Sequence, residues 1–158
     1  MPLPIYVIAD QLGVPRSELA LLKKWSDAST SRLGRLADEE QQIQNAKDIV
    51  EFQHYFADLI DRMREHPEDN IISDLANNTI DEGRLLTKPE ALGMIQQILV
   101  AGNETSTNAI AGGVVLLIQN PEEQAKLRAN PDLIPTAVEE ILRLETPTSG
   151  MWRRATQD

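Results

Sequence analysis

An all-α fold is what this sequence predicts, on three observations. Apolar residues recur at helical spacing over long stretches, Pro and Asn-Pro steps punctuate those stretches where helices stop and start, and β-rich alternation is confined to one short segment. With 158 residues the chain has the length of one ordinary domain, so residues 1–158 are read as a single helical unit. Only 4% of residues are aromatic against 41% hydrophobic, which predicts a core built mainly of Leu, Ile, Val and Ala.

Pro4 to Leu12 is a short apolar segment closed by Gly13-Val14-Pro15. A helix is expected from Arg16-Ser17, with Leu19, Leu22, Trp25 and Ala28 on one face, breaking near Gly34. Asp38-Glu39-Glu40 places negative charge at the positive end of the next helix dipole. That helix carries Ile43, Ala46, Ile49, Val50, Phe52, Phe56, Leu59, Ile60 and Met63 at helical spacing until His66-Pro67 ends it. A short helix over Ile71 to Ala76 precedes Thr79 to Leu86, where Asp81-Glu82-Gly83 reads as the turn of one small hairpin. Thr87-Lys88-Pro89-Glu90 has the chemistry of a capping box with proline in the first turn. From Pro89 the apolar pattern runs to Ile118 with little charge, so this helix is expected to be central and buried on most of its circumference. Asn120-Pro121 ends it, a helix from Pro121 to Arg128 follows, and Asn130-Pro131 leads into the last, Asp132 to Leu144. Its apolar set is Leu133, Ile134, Ala137, Val138, Ile141 and Leu142, and after Pro147 the chain turns polar and extended.

A formal net charge of −10 with no basic cluster argues against nucleic acid or an anionic membrane as partner. No cysteine is present, which excludes disulfide and thiolate chemistry within the chain. Met1-Pro2-Leu3-Pro4 lacks the basic and apolar regions of a signal peptide, and the nearly uncharged run from Ala91 to Gln119 is broken by Glu104 and many polar residues, so a cytoplasmic protein without a membrane span is expected.

Chemistry concentrates in two places. Ala101-Gly102-Asn103-Glu104-Thr105 puts a glycine, which costs about 1 kcal/mol in a helix interior, beside a carboxylate in the least charged helix. Glycine there admits a flat ligand to the backbone, threonine bonds back to a carbonyl, and glutamate passes protons inward; alternatively, the helix packs closely at Gly102 and exposes Glu104 to water. Those five residues alone favour the packing reading. In Glu139-Glu140-Ile141-Leu142-Arg143, Glu140 and Arg143 share a helical face, which by itself describes an ordinary solvated pair. Glu51-Phe52-Gln53-His54 has one copy of the carboxylate–histidine spacing that di-iron bundles use in pairs, so no metal ligand is assigned.

Taken together the two segments resemble the cytochrome P-450 family of bacterial type. Leu99-Val100-Ala101-Gly102-Asn103-Glu104-Thr105-Ser106 is similar to its oxygen-binding helix, and Asn130 to Pro135 running into Ala137 to Arg143 is similar to its E-x-x-R helix. Arg153-Arg154-Ala155-Thr156-Gln157-Asp158 resembles the strand that follows, and Ile5 to Pro15 the approach to the F helix. The collinear match implies F, G, H, I, J and K helices near Arg16, Asp38, Ile71, Pro89, Pro121 and Asp132. It implies that Glu104 and Thr105 are the acid and alcohol that deliver protons to iron-bound oxygen, with Ala101 and Gly102 over the haem face. It further makes Arg153 the partner of a haem propionate, Glu140 and Arg143 a structural anchor, and Pro147 to Trp152 a border of the substrate pocket.

The resemblance also implies a cysteine loop beyond Asp158 and early helices before Met1, so this chain is expected to be an internal fragment that binds no haem by itself and is inactive alone. Haem, a small organic substrate and an electron-transfer protein belong to the complete family protein. The partners expected for the chain itself are the missing remainder of the fold or further copies of itself. The competing expectations are a non-catalytic, self-associating interaction module and a small helical binder of an apolar ligand.

Overall fold

The structure is a computed structural model describing residues 3–34, 38–80, 83–148, 150, 155 and 156, of which 32–34 are described by backbone alone. In order the helices are α1 (Leu3–Leu12), α2 (Leu19–Gly34) after a 3-10 turn at Arg16–Glu18, α3 (Glu39–Glu65), α4 (Ile71–Asn77), α5 (Lys88–Gln119), α6 (Pro121–Ala129) and, after a 3-10 turn at Pro131–Leu133, α7 (Ile134–Leu144). The expected hairpin shrinks to one antiparallel bridge between Thr79 and Leu85, supported by Ile80 N–H donating to the Arg84 carbonyl at 2.8 Å. Gly83 has φ +75°, the left-handed conformation a tight reversal demands; Asp81 and Glu82 lie outside the described residues.

Local chemistry sets the helix ends. The Asp38 carboxylate accepts from Gln41 N–H at 2.8 Å and caps α3, and Asn70 does the same for α4 through Ser73 N–H at 2.9 Å. At the start of α5, Thr87 N–H donates to the Glu90 carboxylate at 2.8 Å while Glu90 N–H reaches back to the Thr87 hydroxyl at 3.4 Å. Arg84 adds a two-pronged ion pair to Glu90 at 2.9 and 2.8 Å. Together, Arg84 first and Thr87 second hold the Glu90 carboxyl down to about 2.

The described chain divides into two compact units, residues 1–103 and 104–158, with α5 running through both. The first unit holds a closed core. Ile5, Ile8, Ala9 and Leu12 of α1, Leu22 and Trp25 of α2, Phe52, Phe56 and Ile60 of α3, Ile72 and Ala76 of α4, and Ala91, Ile95 and Leu99 of α5 are all buried in it. As the composition predicts, most of the buried core is Leu, Ile, Val and Ala, with a small aromatic cluster set into it. The Trp25 ring meets Phe52, Tyr55 and Phe56 at 5.9, 5.2 and 5.9 Å, so four of the six aromatics meet at one junction of α2 with α3. Polar bonds reinforce it: Trp25 Nε1 donates to Glu51 at 3.2 Å, Lys24 also pairs with Glu51, and the buried Asn45 amide donates to Ser31 at 2.9 Å.

Among the described residues, the second unit has no such core. Ile110, Val114, Val115 and Ile118 of α5 and Ile134, Val138, Leu142 and Leu144 of α7 are exposed, and Gly113 is its buried residue among those described. The expectation that α5 is buried around most of its circumference is therefore corrected. Among the described residues, burial in the first unit follows one stripe at four-residue spacing, Ala91, Ile95, Leu99 and Asn103, and beyond it the helix is exposed or half-buried except at Gly113, which lies against α7.

Candidate functional site

Sequence reasoning placed the chemistry on α5, and the helix delivers its residues at different depths. Ala101 and Glu104 are exposed, Gly102 and Thr105 half-buried and Asn103 almost fully buried. The close approach that glycine permits at position 102 is made by a side chain. A Cβ there would lie 3.1 Å from Ile8 Cδ1 and 3.5 Å from Ile8 Cγ1, so α1 uses the space. The division between the units falls between Asn103 and Glu104, so the signature begins in one and ends in the other.

Glu140 and Arg143 meet as their spacing required. Arg143 Nε donates to Glu140 Oε2 at 2.7 Å and Nη2 to Oε1 at 2.6 Å. The fork of charged hydrogen bonds lowers the carboxyl pKa and raises that of the guanidinium. Both side chains remain more than half exposed, at 53% and 66%. Arg153 lies outside the described residues, as do positions 149, 151 and 152 of the expected pocket border.

Two further pairs were not picked out from sequence. Gly112 and Gly113 let α7 lie against α5: a Cβ on the first would meet Glu145 Cβ at 3.0 Å, and one on the second would meet Ile141 Cγ2 at 3.0 Å. The available signal was two adjacent glycines inside a helix, a local cost that packing has to offset. Between these helices, Ala109, Ile110, Val114, Leu117, Val138 and Leu142 line an open apolar groove of about 240 Å³. In the first unit, Asn103 Nδ2 donates to Ser26 Oγ at 3.0 Å, with both residues buried. Here the signal was a polar residue at the end of an apolar stripe on each helix.

A family model described as Cytochrome P450 matches residues 38–134, which takes in α3 to α6 and the signature on α5. The chain belongs to the cytochrome P450 family. It is 37% identical over 157 residues to a biotin biosynthesis cytochrome P450 of Bacillus subtilis (strain 168), covering 99% of this chain and 39% of the relative. With the cytochrome P450 monooxygenase PikC of Streptomyces venezuelae the identity is 40% over 149 residues, 94% of this chain and 34% of that one. Among solved structures, ligand-free cytochrome P450 TbtJ1 superposes with a TM-score of 0.82 at 36% identity, over 90% of this chain and 38% of the other. P450BioI in complex with hexadec-9Z-enoic acid ligated acyl carrier protein gives 0.81 at 37%, over 92% and 37%. The chain thus spans under two-fifths of the length of these relatives. In the family's lettering α2 to α7 are the F, G, H, I, J and K helices, with α5 the long I helix.

Haem goes with the family, yet the residues present do not by themselves fit it. The chain has no cysteine to supply the thiolate, and both histidines, His54 and His66, are exposed on or after α3. No helix of the described residues is long and apolar enough to cross a membrane.

Proposed function

We propose that residues 1–158 are a single segment of a haem-thiolate monooxygenase fold, inactive by itself for want of a thiolate, in which Glu104 and Thr105 are the proton-handling pair. In this reading Ala101 and Gly102 are the turn of α5 nearest the cofactor, Arg153 is the cation for a propionate, and Glu140 with Arg143 keeps α7 in shape. Haem in a whole family protein supplies oxygen activation, by which one atom of O2 enters a small organic substrate with electrons from an electron-transfer protein. A cytoplasmic location is part of the same proposal.

The carrying observation is the gradation of exposure at the signature. The exposed Glu104 carboxyl exchanges protons with water, and the half-buried Thr105 hydroxyl next to it both accepts and donates, so it can pass a proton on without holding charge. Transplanting residues 1–158 into the Bacillus subtilis relative in place of the matching stretch tests this. The chimera is expected to show the carbon monoxide band of thiolate-ligated haem on reduction, and Thr105→Ala to lower product formed by about a hundredfold, the scale of a positioned proton donor. Chain alone mixed with haemin should lack the band. A thiolate-type band from the chain alone, or a Thr105→Ala chimera turning over unchanged, refutes the reading.

A second reading has an observation of its own: the apolar residues left exposed on α5 and α7. Helices with such faces bury them against another chain, so the isolated chain is expected to self-associate. A compact monomer at high concentration in the ultracentrifuge would sink that reading.

A further inference from the structure

We propose that Asn103 is a positioning residue for Glu104 and Thr105, anchored by Ser26 of α2. The assignment rests on the proton-handling role proposed for those two residues and adds the device that aims them. Asn103 is 2% exposed and Ser26 fully buried, and their side chains meet at 3.0 Å across 77 residues of sequence. Asn103 ends the stripe Ala91, Ile95 and Leu99, where a fourth apolar residue would have continued the core. An apolar contact tolerates small rotations of a helix about its axis. A buried amide that donates to one hydroxyl does not, because rotation leaves it without that partner in a place water does not reach.

The anchor is itself held. Trp25, the residue before Ser26, is packed among Phe52, Tyr55 and Phe56 and bonded to Glu51, so α2 is fixed in rotation against α3. A second rung, Gln96 Nε2 to Ser29 Oγ at 3.2 Å, lies two turns back along α5 on the same α2 face. On the other side of Asn103, the Ile8 side chain occupies the space at Gly102. Since α5 is continuous and successive side chains leave a helix about 100° apart, fixing the direction of Asn103 fixes those of Glu104 and Thr105 within the same turn.

The test uses the full chain and needs no haem. Ser26→Ala removes the acceptor, and the double variant Ser26→Ala with Asn103→Leu replaces the pair by apolar groups, which keeps the core closed if the single variant fails to fold. In both, amide hydrogen exchange at residues 104–107 is expected to rise about tenfold relative to residues 91–99, with a shift of the Thr105 methyl resonance. Exchange at 104–107 within about twofold of the parent chain, with the Thr105 methyl unmoved in the double variant, overturns the proposal. These readouts report on the bond whether or not Thr105→Ala alters turnover in the chimera, so the two failures are distinguishable.

Discussion

Replacing Gly102 by alanine separates the packing role of this glycine from any other. In the interior of a helix the exchange gains about 0.8–1.0 kcal/mol from backbone entropy. Against this, the new Cβ would lie 3.1 Å from Ile8 Cδ1, a contact that the terminal methyl can relieve only by moving a few tenths of an ångström inside a closed core. Overpacking of that kind costs about 1 kcal/mol at its lower end, so Gly102→Ala alone is expected to be near neutral. Ile8→Val removes the offending methyl and costs about 0.5–1.5 kcal/mol by itself. In that background Gly102→Ala should recover its full helix gain, giving a coupling of about 1 kcal/mol, or roughly 2–4 °C in Tm for a chain of this size. Urea unfolding followed by Trp25 emission in a Trp152→Phe background reads the first unit directly, since Trp25 is in its core. Coupling below about 0.3 kcal/mol would show that Ile8 does not dictate glycine, and the explanation given for position 102 would fall.

Phe56→Ala, which empties the middle of the aromatic junction of α2 with α3, should cost about 3–5 kcal/mol and abolish the cooperative unfolding of the first unit, visible as loss of near-ultraviolet ellipticity. The Glu90 carboxyl, held below its ordinary 4.5 at about 2, contributes stability that is present above 4.5 and lost as pH falls through about 2; Glu90→Gln should flatten that limb of the Tm–pH curve, and an unchanged limb would contradict the assignment. Tyr55 is pushed up first by burial and then by donating its hydroxyl to Glu18, so the neutral phenol is favoured in the fold; the stability this contributes should be full below the ordinary value of 10.0 and be lost progressively as pH rises above it, while absorbance titration of a Tyr6→Phe variant should show the folded phenol ionising above 10.0. Arg143→Lys, which breaks an exposed fork, should leave the Tm of the isolated chain unchanged while lowering haem retention in the chimera.

What the sequence made legible was local. Thr87 with Glu90, Asp38 before α3 and His66-Pro67 after it set helix ends through neighbours a few residues away, and each end falls within a residue or two of its expected place. What stayed hidden was whatever depends on a partner far along the chain. Ser26 and Asn103 are 77 residues apart, and four of the six aromatic residues meet at one junction, Trp25 lying more than 25 residues before the three it touches. The burial of α5 was overestimated for the same reason: an apolar surface states that cover is required without stating what provides it.

That distinction bears on how far any motif carries. At Gly102 the close approach is made by Ile8, and the Glu140–Arg143 fork, standing in solvent, contributes little to this chain's own stability. Neither feature alone separates a haem protein from an ordinary helical domain. What shows the family is the collinear match, in which relatives 36–37% identical superpose over 90–92% of this chain. A change to Gly113, where a Cβ would meet Ile141, should disturb the second unit before any alteration of Thr105 does.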